Sequence, residues 1–160
     1  MGPSGPAVEG ASIVMTEWRR DSFMISTDCE RVDFDRVHAF LTTSYWSPGI
    51  SREAVERAAR HSLVFGLYSD AEHGSQQVGY ARVLSDTVAS AYLLDVFILE
   101  PYRGQGLALW LVQTILGHRD LRHVRSWFLK TRDARGLYEK AGFTRPSDLL
   151  ERFMYRPGSA

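Results

Sequence analysis

The clearest hydrophobic pattern in the chain is the stretch 92–99, Tyr-Leu-Leu-Asp-Val-Phe-Ile-Leu, in which every residue except Asp95 is apolar. Its residues are mostly β-branched, aromatic or leucine, which predicts a buried strand. Pro101 ends this strand, because proline has no N–H to donate to a neighbouring strand. From Leu107 the apolar residues recur at helical spacing up to Gly117, a residue typical of helix ends. The pattern therefore predicts a buried strand, a short turn and a helix.

Weaker patterns of the same kinds cover the rest of the chain. Apolar runs predict strands over residues 23–27, 62–69, 77–84, 126–129 and 152–155, and an extended segment from Phe143. Helical spacing predicts three more helices: one capped by Asp33 or Asp35 and ending near Ser44, one capped by Ser51, and one over residues 134–141, capped by Thr131 or Asp133 and ended by Gly142. Polar loops are predicted at 70–75 and 146–150. This order of elements predicts an α/β fold, a mixed sheet with helices on both faces.

The turn between the central strand and its helix contains two glycines within Arg103-Gly104-Gln105-Gly106. A strand, a glycine turn and a helix N-terminus bring unpaired N–H groups and the positive end of the helix dipole to one place, where phosphate can bind. A Walker A loop is excluded, because no Gly-Lys-[Ser/Thr] follows. A dinucleotide fingerprint is excluded, because Leu109 stands where the third glycine belongs. An ordinary glycine turn remains the alternative.

Length and charge narrow the class of protein. A chain of 160 residues is one domain, and residues 1–20, rich in Gly, Pro and Ser, are predicted to be mobile. Lys+Arg and Asp+Glu both number 19, which argues against a nucleic-acid or membrane partner. Residues 118–135 are locally basic, either as a solvated face or as a seat for nucleotide phosphates. With no 18-residue apolar run and no signal-peptide pattern, we expect a cytoplasmic protein.

The sequence offers little for metal or thiol chemistry. Cys29 is the only cysteine, so an intrachain disulfide is impossible. The five histidines lack His-Glu-x-x-His spacing, and we predict no metal site. Cys29 could act as a nucleophile in an acyl-enzyme scheme, but a small core residue is the favoured interpretation.

Two motifs carry a family resemblance. Arg103-x-x-Gly106-x-Ala108 resembles the acyl-CoA pyrophosphate loop of the GCN5-related N-acetyltransferases (GNAT), whose form is [Gln/Arg]-x-x-Gly-x-[Gly/Ala]. Residues 137–143, Leu-Tyr-Glu-Lys-Ala-Gly-Phe, resemble the end of that family's closing helix. The two motifs span residues 92–143. The resemblance implies a GNAT-like, mostly antiparallel twisted sheet of six to seven strands flanked by about four helices, and one acyl-CoA N-acyltransferase domain over residues 21–156.

The resemblance also implies a reaction. An acetyl group would pass from acetyl-CoA, a cosubstrate, to an amine acceptor by direct attack in a ternary complex, in a monomer or homodimer. The implied cofactor contacts are the backbone of the central strand, the loop and the start of its helix: Val96, Phe97, Ile98, Arg103, Gly104, Gln105, Gly106, Leu107 and Ala108. Asp133 stands where the family often has a cofactor-facing asparagine, and it is either a cofactor contact or the helix cap. A non-catalytic acyl-CoA sensor of the same fold is the alternative function.

Four further residues are candidates for the chemistry. Tyr138 is a candidate acid for the leaving thiolate, since a phenol with a pKa near ~10 stays protonated at neutral pH; the alternative is a core aromatic. Asp95 is costly to bury unpaired, so it either forms an ion pair, for example with Arg82, or faces the acceptor amine. Tyr45 and Trp46 form either a hydrophobic plug or a wall of the acceptor pocket.

Overall fold

The computed structural model describes residues 15–71, 74–145 and 147–158, except the side chains of residues 71 and 150. Six strands form one sheet in chain order. They are β1 (Glu17–Arg20), β2 (Phe23–Ser26), β3 (Leu63–Ala71), β4 (Gly74–Ser85), β5 (Ser90–Ile98) and β6 (Ser126–Phe128). The helices are α1 (Phe34–Leu41), α2 (Arg52–Arg60), α3 (Leu107–Leu116), α4 (Arg135–Lys140) and α5 (Ser147–Leu150). The predicted fold class is confirmed.

The sheet is antiparallel from β1 to β5, and β6 runs parallel to β5. A parallel neighbour needs a crossover connection, and α3 supplies it. The sheet separates two buried clusters. One packs β3, β4 and β5 against α3 and α4, and the other packs the opposite face against α1 and α2. The site described below lies at the C-terminal end of β5 and is lined by residues of both clusters.

Two predicted helix caps are confirmed. The Asp33 carboxylate accepts a hydrogen bond from the Arg36 N–H at 3.1 Å, and the Ser51 hydroxyl accepts one from the Ala54 N–H at 3.2 Å. Each bond satisfies a backbone donor that has no partner inside its helix. These caps fix where α1 and α2 begin.

A β-bulge interrupts β5 at its middle. The pairing with β4 passes from Arg82–Leu94 to Tyr80–Phe97, so Asp95 and Val96 together oppose one residue of β4. Asp95 has a positive φ of 53°. Two residues against one define a bulge, which bends a strand and re-aims its side chains.

The segment predicted to be mobile, residues 1–20, includes β1, which pairs with the adjacent β2 and whose Trp18 stacks on Phe65 (ring centroids 6.3 Å apart); residues 1–14 lie outside the described residues. Two predictions about the C-terminal end of the chain are wrong. Within the described residues no strand follows β6, so neither residues 143–145 nor 152–155 pair with the sheet. The predicted loop at 146–150 contains α5. The apolar residues of the C-terminal segment stay on the surface, with Met154 97% exposed.

None of the helices in the described part of the chain is long and apolar enough to cross a membrane.

Candidate functional site

A cleft of about 1250 Å³ opens where β5 and β6 separate. The two strands pair only over residues 90–92 and 126–128, and β5 continues to Ile98 without β6. One backbone edge of β5 therefore faces the cleft. The other walls are the loop before α3 with the first turn of that helix, residues 130–134 with α4, and the connection between α1 and α2.

The glycine turn forms one end of this cleft. Gly104 and Gly106 have φ values of +78° and +74°, which glycine adopts without the steric penalty of a side chain. The first bond of the helix runs from the Trp110 N–H to the Gly106 carbonyl at 3.1 Å, so the N–H groups of residues 107–109 precede the helical hydrogen bonds. The first turn of α3 holds no acidic residue. This helix end has the geometry and the charge to bind an anion.

Two arginines hold the turn in place. Arg103 Nε donates to the Ile98 carbonyl at 2.9 Å and ties the loop to the end of β5. Arg20, from β1, donates through Nη2 to the Gln105 carbonyl at 3.3 Å. The turn is thus attached both to the strand that precedes it and to a strand at the far edge of the sheet.

Tyr138 lies in the cleft wall formed by α4. Its side chain is buried, and its ring packs edge-on against Phe143 with centroids 5.9 Å apart. Burial, with smaller contributions from Tyr45 and Asp133, raises the pKa of Tyr138 to about 12. Among the described residues, none forms a hydrogen bond with its hydroxyl. The phenol is therefore a protonated donor without a partner in the protein.

Asp95 is bound on both carboxylate oxygens. Arg82 Nε lies 2.5 Å from Oδ2, and the Trp46 indole donates to Oδ1 at 3.2 Å. The side chains of Arg82 and Asp95 are only 17% and 8% exposed, and Arg82 also donates to the Ser62 hydroxyl at 3.2 Å. The ion pair weighed as one alternative is present, and the same carboxylate also lines the cleft.

Tyr45 and Trp46 bridge the top of the cleft. The Tyr45 hydroxyl accepts a hydrogen bond from the Arg132 N–H at 2.9 Å, and the Arg132 guanidinium carbon lies 3.9 Å from the Tyr45 ring centroid. Trp46 contacts Tyr45 edge-on and lies 6.1 Å from Phe40, which stacks on Phe97 at 4.0 Å. Both Tyr45 and Trp46 are 39% exposed and line the cleft. Each of the two rings therefore has a face open to the cleft.

The chain matches known proteins in sequence and in structure. The family model described as "Acetyltransferase (GNAT) domain" matches residues 49–145. A proposed acetyltransferase from Gibberella zeae is 31% identical in an alignment 141 residues long, which covers 77% of this chain and 79% of that protein.

The chain belongs to the GNAT acetyltransferase family.

Solved structures agree with this GNAT assignment. A proposed GNAT acetyltransferase from Xanthomonas campestris pv. campestris superposes with a TM-score of 0.78 and 38% identity, covering 85% of this chain and 93% of that one. A more distant structure, a proposed acetyltransferase from Clostridium acetobutylicum solved with acetyl-CoA, is 16% identical with a TM-score of 0.55, covering 74% of this chain and 92% of that one. At that identity the second structure shows the shared fold alone.

The GNAT cleft brings together most of the site residues proposed from sequence. Its lining includes both candidate catalytic residues, the two aromatic residues and all but one of the implied cofactor contacts: Tyr138, Asp95, Tyr45, Trp46, Val96, Phe97, Ile98, Arg103, Gly104, Gly106, Leu107, Ala108 and Asp133. Gln105 is outside the lining, and its side chain donates to the Tyr102 carbonyl at 3.3 Å. Thr131, the other candidate cap of α4, accepts from the Ala134 N–H at 3.0 Å. Asp133 is exposed and pairs with Arg132 at 3.3 Å.

Sequence reasoning missed two positions of the site. Arg132 belongs to the basic run 118–135, but nothing in the sequence indicated that it would stack on Tyr45. Arg20 lies in the segment predicted to be mobile, and no motif includes it.

Within the described residues there is no group of three His, Cys, Asp or Glu that could hold a metal ion.

Proposed function

We propose that the protein transfers the acetyl group of acetyl-CoA to an amine acceptor by direct attack in a ternary complex. One observation carries the proposal: a single cleft joins the free N–H groups at the start of α3, the unpaired edge of β5 and the partnerless hydroxyl of Tyr138. Membership of the GNAT acetyltransferase family and the related fold solved with acetyl-CoA support the same conclusion.

The residues present fit acetyl-CoA. The start of α3 suits a pyrophosphate, and Lys130, Arg132 and Lys140 line the cleft with further positive charge. The unpaired edge of β5 offers backbone N–H and C=O groups, which are the partners that the amides of a pantetheine arm need. The cleft, of about 1250 Å³, extends from the start of α3 past β5 to the connection between α1 and α2, so the acceptor is placed at the end away from the phosphate-binding turn.

The chain's own groups supply orientation and charge stabilisation. Acetyl-CoA brings an acetyl group already activated as a thioester. A backbone N–H of residues 96–98 on the open edge of β5 would donate to the oxygen on which negative charge develops. Tyr138 would donate a hydrogen bond to the negative charge that develops on the departing sulfur. The amine nitrogen forms the new C–N bond as the C–S bond breaks. The proton that the amine loses passes to solvent water, and coenzyme A leaves as the thiolate, which solvent protonates.

The position of Cys29 favours direct attack over an acyl-enzyme. Cys29 lies in the short turn before α1 and is not among the residues that line the cleft. Burial, with the nearby Asp28 charge as a smaller cause, raises the pKa of its thiol. A raised pKa disfavours the thiolate, which is the nucleophilic form.

We assign the acceptor to the end of the cleft bounded by Asp95, Tyr45 and Trp46. Both Asp95 oxygens already accept hydrogen bonds, so its proposed role is to hold Trp46 and to provide negative charge near an ammonium group. The exposed faces of Tyr45 and Trp46 suit an amine on an apolar or aromatic body, with a cation–π contribution of roughly 0.5–2 kcal/mol.

The experiment that tests the proposal measures free thiol released from acetyl-CoA with a panel of amines. The panel contains aromatic and aliphatic amines, amino acids, and peptides with a free N-terminus or a lysine; reactions without amine give the hydrolysis background. We expect amine-dependent thiol release together with a rise in Tm in acetyl-CoA. At a concentration of 100 times Kd, ligand binding adds about 2.7 kcal/mol to the stability of the fold. A rise in Tm without turnover of any amine would favour the non-catalytic acyl-CoA sensor. If acetyl-CoA causes no rise in Tm and no amine is turned over, both the acetyltransferase and the sensor are refuted.

A further inference from the structure

We propose that Arg20, on the far edge strand of the sheet, is a positioning residue for the phosphate-binding turn of acetyl-CoA. This inference rests on the proposed function. Arg20 is the last residue of β1 and lies 85 positions before Gln105 in the sequence. It is absent from the cleft lining and from both family motifs, so its role has to be argued from its contacts.

The Arg20 guanidinium lies against the back of the turn. Nη2 donates to the Gln105 carbonyl at 3.3 Å. A Cβ built on Gly106 would lie 3.6 Å from Nη2 and 3.9 Å from Nη1. The guanidinium carbon is 5.8 Å from the ring centroid of Trp110, in the first turn of α3. The same group thus contacts the carbonyl before Gly106 and the helix that follows, and it lies beside the position that a side chain at 106 would occupy.

The carbonyl contact determines where the next N–H points. The described residues contain no cis peptide bond, so the peptide joining Gln105 and Gly106 is trans. In a planar trans peptide the C=O and N–H bonds point in opposite directions. Because the Gln105 carbonyl points at Arg20, the Gly106 N–H points away from it. Gly106 lines the cleft and Arg20 does not, so Arg20 holds the turn from behind with this donor available to the cleft.

Arg20 has no counter-charge among the described residues. A cation at the positive end of a helix dipole is unfavourable. No carboxylate in the described residues lies within ion-pair distance of Arg20, whereas Arg19 pairs with Glu17 and with Asp70. The first turn of α3 also has no acidic residue. Without ligand, Arg20 opposes the helix dipole; a phosphate group on the turn would compensate both charges.

The test compares Arg20→Gln, which removes the charge but keeps an N–H donor, with Arg20→Lys, which keeps the charge. Arg19→Gln is the matched control, since it neutralises the adjacent arginine of the same strand. Calorimetry gives the Kd of acetyl-CoA at two salt concentrations, initial rates give KM and kcat, and thermal melting gives Tm without ligand. For Arg20→Gln we expect Kd and the KM of acetyl-CoA to rise about tenfold, with a shallower salt dependence of Kd. We expect kcat within about twofold of wild type and an unliganded Tm that does not fall.

We expect Arg20→Lys to recover part of the lost affinity and Arg19→Gln to bind as wild type does. Equal Kd values for wild type and Arg20→Gln would overturn the inference alone. A lower unliganded Tm in Arg20→Gln that Arg20→Lys does not restore would also overturn it, because Arg20 would then serve folding. A wild-type protein that does not bind acetyl-CoA would overturn the proposed function together with this inference.

Discussion

Removing the Tyr138 hydroxyl is the sharpest test of the chemistry proposed for the cleft. Tyr138→Phe deletes one oxygen from a buried side chain and leaves the ring and its contact with Phe143 in place. None of the described residues hydrogen-bonds that hydroxyl, so the substitution breaks no bond of the unliganded protein. We therefore expect Tm to stay within about 2 °C of wild type, since exchanging an unpaired polar group for an apolar one is nearly neutral.

The size of the rate effect follows from the pKa of Tyr138. With a phenol pKa of about 12, against about 8.5 for an ordinary thiol, complete proton transfer to sulfur would be uphill by roughly 5 kcal/mol. Hydrogen-bond donation to the negative charge that develops on sulfur is therefore the main expected contribution. A hydrogen bond to a charged group contributes about 1.5–3 kcal/mol. We expect kcat to fall by about 10–150-fold, near the lower end of the 10²–10⁴-fold range for general acids.

The assay measures thiol release at saturating acetyl-CoA and saturating acceptor, with the Kd of acetyl-CoA measured separately. Tyr80→Phe is the matched control. Its hydroxyl likewise has no hydrogen-bond partner among the described residues, and burial also raises its pKa, but that hydroxyl is buried and Tyr80 packs on the α1–α2 face outside the cleft lining. We expect Tyr80→Phe to leave kcat unchanged.

A kcat within about threefold of wild type in Tyr138→Phe would refute the reasoning and leave Tyr138 as a packing residue. Equal losses of kcat in both variants would refute it too, because they would point to a general effect of losing a buried hydroxyl. A large rise in Kd at constant kcat would place Tyr138 in binding and remove it from the chemical step.

Three further predictions concern the rest of the site and the core. Asp95→Asn breaks a buried ion pair with Arg82, so we expect a loss of about 3–5 kcal/mol in unfolding free energy and a Tm lower by about 10 °C; unchanged Tm with lost turnover would instead assign Asp95 to the acceptor amine. Trp46→Ala should raise the acceptor KM several-fold at constant Kd for acetyl-CoA, whereas a loss of ~3–5 kcal/mol at unchanged KM would make the loop a plug. Burial lowers the pKa of His118 in the folded protein, so as the pH falls this histidine is protonated in the unfolded chain before it is protonated in the folded one. The free energy of unfolding should therefore decrease as the pH drops below about 6.5. His118→Phe should flatten this part of the curve of Tm against pH, and superimposable curves would contradict the assignment.

The sequence predicted those parts of the site that local chemistry determines. Glycine is favoured at Gly104 and Gly106 because both have positive φ, and a glycine pattern between a strand and a helix is visible without a structure. The caps at Asp33 and Ser51 are equally local, since each bond spans three residues. The cross-strand pair of Arg82 with Asp95 could be named because a buried carboxylate needs a partner on an adjacent strand.

The parts that failed either carry no pattern in their own residues or depend on contacts between distant segments. β1 has one apolar residue in four, Trp18, so its residues show no strand pattern, although it pairs with the adjacent β2 and Trp18 stacks on Phe65. The apolar run at residues 152–155 is a strand pattern, yet a strand also needs a paired neighbour, and Phe153 contacts Phe128 only edge-on, with ring centroids 5.5 Å apart. Arg20 could not be found, because its importance comes from a contact across 85 positions.

The bulge at Asp95 links the two halves of the cleft, and the apolar run 92–99 gave no sign of it. In a regular strand, side chains two positions apart lie on the same face, so Leu93 and Ile98, which are five positions apart, would lie on opposite faces. Here Leu93, before the bulge, and Ile98, after it, both pack toward α3. The extra residue leaves Phe97 on the opposite face, where it stacks on Phe40 beneath Trp46, and Asp95 itself holds the Trp46 indole. The backbone edge proposed to bind acetyl-CoA and the aromatic wall proposed to bind the acceptor therefore depend on one irregular residue. We therefore expect substitutions at Tyr45 or Trp46 that alter acceptor preference to keep the fold only while Asp95 remains paired with Arg82. Losing that pair would remove the support of the backbone edge and of the aromatic wall together.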